Sequence, residues 1–203
     1  MRTVTAAALL VACGPPNRVS PIGDLPFPVE SSYLTVDPGT FDADDLLTVT
    51  LSSLPGSCDA ERVFRDGAAD AEDPAALAEA WAAAFPAAFT EVEVVARVQG
   101  GTWPVKGSLW SGLAWDALPE QNNVAFAVFT QHLALRDEAW WAGEVEDEDA
   151  YEQVFYSDGG LMKWGTSEPG VRVSGRLNAD VVSSAGAFAG SSEVRFDATI
   201  CGL

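Results

Sequence analysis

The sequence holds a single histidine, His132, and only two lysines, Lys106 and Lys163. One imidazole excludes any site that needs two or three histidines from the same chain. Eleven basic residues against thirty acidic ones leave a formal net charge of −19. Nucleic acids, whose backbones are bound through Lys/Arg patches that displace counterions, are thereby excluded as partners. The same charge opposes adhesion of the domain's surface to anionic lipid. Standard catalytic signatures are missing: there is no GxSxG, no HExxH, no GxxxxGK[ST] and no GxGxxG opening a helix, which removes the common classes that depend on them. With three cysteines and no C-x-x-C, neither a dithiol redox motif nor a zinc knuckle is encoded. There is no internal repeat and no heptad.

What remains is rich in large apolar groups. Hydrophobic residues make up 48% of the chain, with seven Trp and ten Phe, more than a disordered acidic chain carries. This composition describes a folded domain with an acidic surface. At the N-terminus, Arg2 precedes a small and apolar run from Thr3 to Ala12, followed by Cys13. That run is short of the roughly 20 residues of a transmembrane helix but has the layout of a secretory signal. Its end, Leu10-Val11-Ala12-Cys13, resembles the lipobox of bacterial lipoproteins. The resemblance implies a diacylglyceryl group on the Cys13 thiol and cleavage before that residue. It also implies anchorage in the cell envelope, at the outer membrane if there are two, since Gly14 is not an Asp. An ordinary secretory signal, or a cap or edge strand of a cytosolic domain, are the competing readings of the same residues.

Three segments follow from the lipoprotein reading: a signal peptide over 1–12, a lipidated cysteine and Pro-rich tether over 13–32, and a single acidic β-rich domain over 33–203. Prolines at 15, 16, 21, 26 and 28 keep the tether from propagating a helix. With Cys13 committed to lipid, Cys58 and Cys201 become an even pair, as expected for one disulfide in an oxidising compartment.

Strands dominate the domain. Alternation predicts one near Leu46–Leu51, and another in EVEVVARV with Val92, Val94, Ala96 and Val98 on one face. NVAFAVFTQHLAL, residues 123–135, is apolar enough for a central strand. Glu138–Glu144 reads as a strand sending Trp140 and Trp141 to opposite faces. YEQVFYS and LMKWG read as strands joined by a tight turn at Asp158-Gly159-Gly160, and VRVSGRLNADVV as a long strand bulged at Gly175. SSAGAFAGSS connects it to the closing strand SEVRFDATI. Cys58 is expected in a loop after Pro55-Gly56. One helix is expected at about 74–85: Asp73 is its N-cap, Pro74 its first residue, and Leu77, Trp81 and Phe85 its stripe. The sum predicts a mainly β fold, an antiparallel β-sandwich or open barrel of about seven to nine strands with that early helix.

Candidate chemistry is sparse. His132 ends an apolar strand and reads as a hydrogen-bonded residue; a triad with some Ser and Asp is the sharper alternative. Asp42, Asp44 and Asp45 are oxygen ligands of the type calcium takes, without the twelve-position EF-hand pattern. The run Glu144, Glu146, Asp147, Glu148, Asp149 and Glu152 is a second cluster that a bound cation would relieve; for both clusters solvated charge is the heavier reading. No cofactor is expected beyond that calcium candidate. Trp103, Trp110, Trp115, Trp140, Trp141 and Trp164 fall in or beside loop-like segments, where flat aromatic faces suit sugar rings. The leading functional reading is an envelope-anchored lipoprotein with a structural or protein-interaction role. Its partners are the bilayer, through the lipid, and an envelope protein or glycan. The alternatives are a carbohydrate- or peptidoglycan-binding module built on those tryptophans, and an extracytoplasmic hydrolase using paired carboxylates.

Overall fold

Residues alternating apolar and polar, as in EVEVVARV, need a sheet with one covered face. The structure, a computed structural model, describes residues 17–41, 44–99, 106–111, 124–168 and 172–202. Nine strands lie among them: β1 Arg18–Val19, β2 Ser31–Phe41, β3 Asp44–Ser52, β4 Phe89–Gln99, β5 Lys106–Ser111, β6 Val124–His132, β7 Glu152–Glu168, β8 Arg172–Ser183 and β9 Phe188–Thr199. They form one sheet in the order β1-β9-β8-β7-β5-β6-β4-β3-β2, with β7 also pairing β6 beyond the end of β5. Strand pairing is antiparallel except for a two-residue parallel contact between β5 and β6.

The sheet curls into a half-barrel, so the expected mainly β fold takes the open-barrel form. Beyond the two residues of the edge strand β1, β9 meets β2, the opposite edge, along a seam. Leu34 of β2 bridges Ile200, and the Cys201 N–H donates to the Leu34 carbonyl at 2.7 Å. Asn17 completes the seam: its Nδ2 donates to Ser32 Oγ (2.9 Å) while its Oδ1 accepts from the Asp197 N–H (2.6 Å). These contacts cover part of both sheet edges.

Inside, Leu47, Val49, Val92, Val94, Phe129 and Phe196 are among the fully covered residues. The Pro-rich stretch contributes to this core. Val19, Ile22 and Phe27 are buried, with Phe27 edge-on to Phe129 at 5.7 Å. From Asn17 onward, the residues expected as a solvated tether are therefore part of the packed barrel. Proline keeps them extended, and an extended segment lies naturally along a sheet seam.

Helix α2, Pro74–Ala84, matches the expected helix, with Asp73 Oδ1 accepting from the Ala76 N–H at 2.9 Å. Two further helices depart from expectation. Cys58 lies in the first turn of α1, Ser57–Ala69, and not in a loop. Residues 138–144 form no strand: α3, Glu138–Ala142, is capped by Asp137, whose side chain accepts from the Trp140 N–H, and is ended by Gly143 at φ 70°. Short capped segments fold as helices when both ends are satisfied.

Two glycine readings are also corrected. Asp158-Gly159-Gly160 does not turn the chain; it bulges a single 17-residue strand, with a register shift against β8 between Ser157 and Gly159. Gly160, at φ 136°, has no room for a Cβ, which would lie 2.0 Å from the Asn178 carbonyl oxygen. Gly175 is not a bulge. It pairs regularly with Trp164 and Phe196, and a Cβ there would strike the Phe196 ring at 2.4 Å.

Candidate functional site

The outer face of the sheet, beneath the helices, holds the densest set of ionisable groups whose environment is described. Register places Phe89, His132 and Glu152 side by side on β4, β6 and β7, one strand spacing of about 4.8 Å apart. Glu91 and Glu93 follow Phe89 on the same face of β4. α1, α2 and α3 cover this end of the sheet with an aromatic cluster of Trp81, Phe85 and Phe89, against which Phe64 and Trp141 pack.

His132 is buried, at 2% exposure. Its Nε2 lies 2.9 Å from Glu91 Oε1, and its Nδ1 lies 3.7 Å from Glu152 Oε2. The ring stacks on Phe89 at 4.1 Å, and Trp81 lies 5.8 Å away. Glu152 also receives Arg136 Nη2 at 2.5 Å. The Arg136 guanidinium sits 4.4 Å over Trp81 and 5.0 Å over Trp140, a cation held between aromatic faces. The result is a chain of alternating charge capacity, Glu91, His132, Glu152 and Arg136, that ties the segment leading into α3 to the sheet.

Glu93 stands at the margin of this chain. Burial, then the charges of Glu91 and Glu61, push its carboxyl up to about 7. Tyr33, on the same face, is raised above the usual phenol range by burial, against the lowering effect of its Thr50 hydrogen bond. Glu91 thus lies against the imidazole, while Glu93, two residues on, retains its proton into the neutral range. His132 has both ring nitrogens facing carboxylates, and its ring is packed among aromatic side chains.

The other sequence candidates disperse. Trp164 is core, at 5% exposure, and supplies no exposed platform. Trp140 and Trp141 are partly buried beside Arg136. Trp110 lies in β5, while Trp103 and Trp115 fall outside the described residues. Asp44 and Asp45 open β3, and Asp42 also falls outside the described residues. Of the acidic run, Glu148 and Asp149 sit in an exposed turn and Glu152 is drawn to Arg136. Among the described residues no group of three or more His, Cys, Asp or Glu is arranged to hold a metal ion.

A shallow depression of about 470 Å³ lies on the opposite part of the sheet, lined by Ser20, Gly160, Asn178, Asp180, Ser191 and Glu193 among others. Its polar groups partly satisfy one another: Ser191 Oγ donates to Asp180 Oδ1 at 2.7 Å. No aromatic side chain lines it.

Cys58 and Cys201 are joined, with Cα atoms 5.9 Å apart. The bond fastens α1 to the chain end directly beside the seam. Sequence reasoning reached this pair but missed Glu91, Glu93 and Arg136 as a group. The alternation of EVEV was the one available signal, since two acids on the wet face of a strand draw notice only when something covers that face. Comparison with models of known protein families, with curated proteins and with solved structures finds no match to this chain.

Proposed function

We propose that this chain is an envelope lipoprotein whose extracytoplasmic part is a disulfide-fastened open β-barrel with a structural or protein-interaction role. A half-barrel with its edges joined and its surface acidic is a scaffold of that kind. The observation that carries the compartment is the Cys58–Cys201 bond. Structural disulfides persist in oxidising compartments and are rare in reducing ones. Their pairing leaves Cys13 as the one cysteine outside that bond, at the position where a lipobox places its lipid acceptor. The bilayer, through that lipid, and a protein or glycan of the envelope are the proposed partners.

The test is fractionation of cells expressing the chain or its Cys13→Ser variant. The native chain is expected in the membrane fraction and to resist extraction by high salt. The variant, deprived of its acceptor thiol, is expected to leave that fraction or to accumulate with its leader uncut. Identical partition and identical processing of the two would overturn the reading.

A further inference from the structure

The sheet register lines up four cations. Lys163 of β7 stands opposite Arg176 of β8, Arg176 opposite Arg195 of β9, and Arg195 opposite Arg18 of β1. All four are exposed on the outer face of the barrel, and strand spacing makes the row about 15 Å long. Arg172, also exposed, lies further along β8. Five of the chain's eleven basic residues are thus gathered on one strip of a molecule whose net charge is −19.

Like charges set directly opposite one another destabilise a sheet. Two carboxylates relieve part of this cost. Glu193 pairs with Arg176 (2.8 Å) and with Arg195, and Asp197 pairs with Arg172 (2.5 Å). Arg18 and Lys163 make no ion pair among the described residues. The four-cation row keeps three positive charges in excess of Glu193, while Arg172 is flanked by Asp197 and, in register, by Glu168, and Asp180 lies four residues beyond Arg176 on the same face. About half of the Arg172, Arg176 and Arg195 side chains is open to solvent.

Its position adds the second argument. Asn17 is stitched into the seam between Ser32 and Asp197, and Arg18 follows it into the row. Only three residues lie between Cys13 and Asn17, and the four Cα steps reach at most about 14 Å. A lipid on Cys13 would hold the seam, and the cationic strip that begins at it, within that distance of the headgroups.

We infer that the Lys163–Arg176–Arg195–Arg18 strip is the membrane-facing surface of the barrel and lies on anionic phospholipid headgroups. This rests on the lipoprotein reading and gives it an orientation: the acidic remainder and the helices point away from the bilayer. Each cation close to an anionic surface multiplies the population in contact roughly fivefold, so the strip orients what the lipid merely retains. Along this row the cations outnumber the carboxylate that lies among them.

The test uses the full chain purified from membranes and reconstituted into vesicles of phosphatidylcholine, with or without phosphatidylglycerol. With Cys58 and Cys201 bonded and Cys13 acylated, an introduced cysteine is the free thiol for a fluorophore. Ser174→Cys places it within the strip, and Glu79→Cys places it on α2. Energy transfer to a headgroup-labelled lipid is expected to be several-fold stronger from position 174 than from 79 in phosphatidylglycerol vesicles. That difference should vanish in pure phosphatidylcholine and at about 1 M salt, where the screening length falls to about 3 Å. It should also vanish in the Arg18→Glu/Lys163→Glu variant, which breaks no ion pair among the described residues. Equal transfer from both positions, or a difference indifferent to salt and charge reversal, overturns the inference. Intact mass of the same samples separates the two levels: an acylated chain without orientation sinks the strip alone, and an unacylated Cys13 sinks the lipoprotein reading together with it.

Discussion

At the scale of single residues, the feature with the largest consequence is Glu93. A carboxyl whose value in the fold is raised from 4.5 to about 7 favours folding while protonated. The stability this contributes is complete below about 4.5 and is lost as pH rises through about 7. After allowance for solvent reach, the loss amounts to about 2 kcal/mol. Glu93→Gln removes the charge and keeps most of the shape. Urea melts at pH 5 and pH 8 should show the native chain weaker at the higher pH, the variant nearly level between the two, and the variant ahead of the native chain at pH 8. A variant that follows the native slope would show that Glu93 is not the responsible group. His132 was legible as a hydrogen-bonded residue from its place near the end of an apolar strand. Its partners were not legible, because Glu91 and Glu152 come from strands 41 and 20 residues away in opposite directions along the chain, and only the register of β4 and β7 on β6 brings them together.

At the scale of elements, period-two patterns were dependable where one face is buried. Val92, Val94 and Ala96 on β4, and Val194, Phe196 and Ala198 on β9, are all covered. Errors arose where a local signal had two physical uses. Asp137 and Gly143 bracket five residues as the two caps of a short helix, yet Trp140-Trp141 between them suggested a strand, since aromatics favour sheets. Asp158-Gly159-Gly160 has the composition of a turn, but the strand segments on both sides of it pair with β8, and the glycines let the backbone bulge and continue. Gly160 and Gly159 should accordingly respond differently to alanine. Gly160→Ala forces a side chain into a positive-φ residue and onto the Asn178 carbonyl, for a loss of about 3 kcal/mol or more. Gly159→Ala meets nothing within 4 Å and should stay within about 0.5 kcal/mol of the native chain. Thermal melts of the two variants decide between a bulge built on Gly160 and a freely tolerant loop. The cationic strip belongs to this scale as well: no linear spacing announces it, because the register of four strands, bulges included, sets the alignment of Lys163, Arg176, Arg195 and Arg18.

At the scale of the whole molecule, the N-terminal stretch, the barrel seam and the disulfide form one assembly. Asn17 joins β2 to β9, Cys201 follows the same seam, and Cys58 bonds it to α1 across 143 residues of sequence. Cross-linking so long a loop constrains the unfolded chain by about 5 kcal/mol in the chain-entropy account. The even cysteine pair was visible in the sequence once Cys13 was set aside. The docking of Val19 and Ile22 was not, because proline content marks an extended segment without marking what it lies against. That docking places the residues from Asn17 onward in the barrel, and lipidation of Cys13 is the claim on which the proposed anchorage and orientation both depend. Intact mass spectrometry of the chain extracted from membranes, with and without reduction, tests it most directly. The expected chain begins at Cys13, carries the added mass of its acyl groups, and gains the mass of two hydrogens on reduction as Cys58 and Cys201 separate. A chain that retains residues 1–12, bears no acyl mass and is unchanged by reductant would contradict the account.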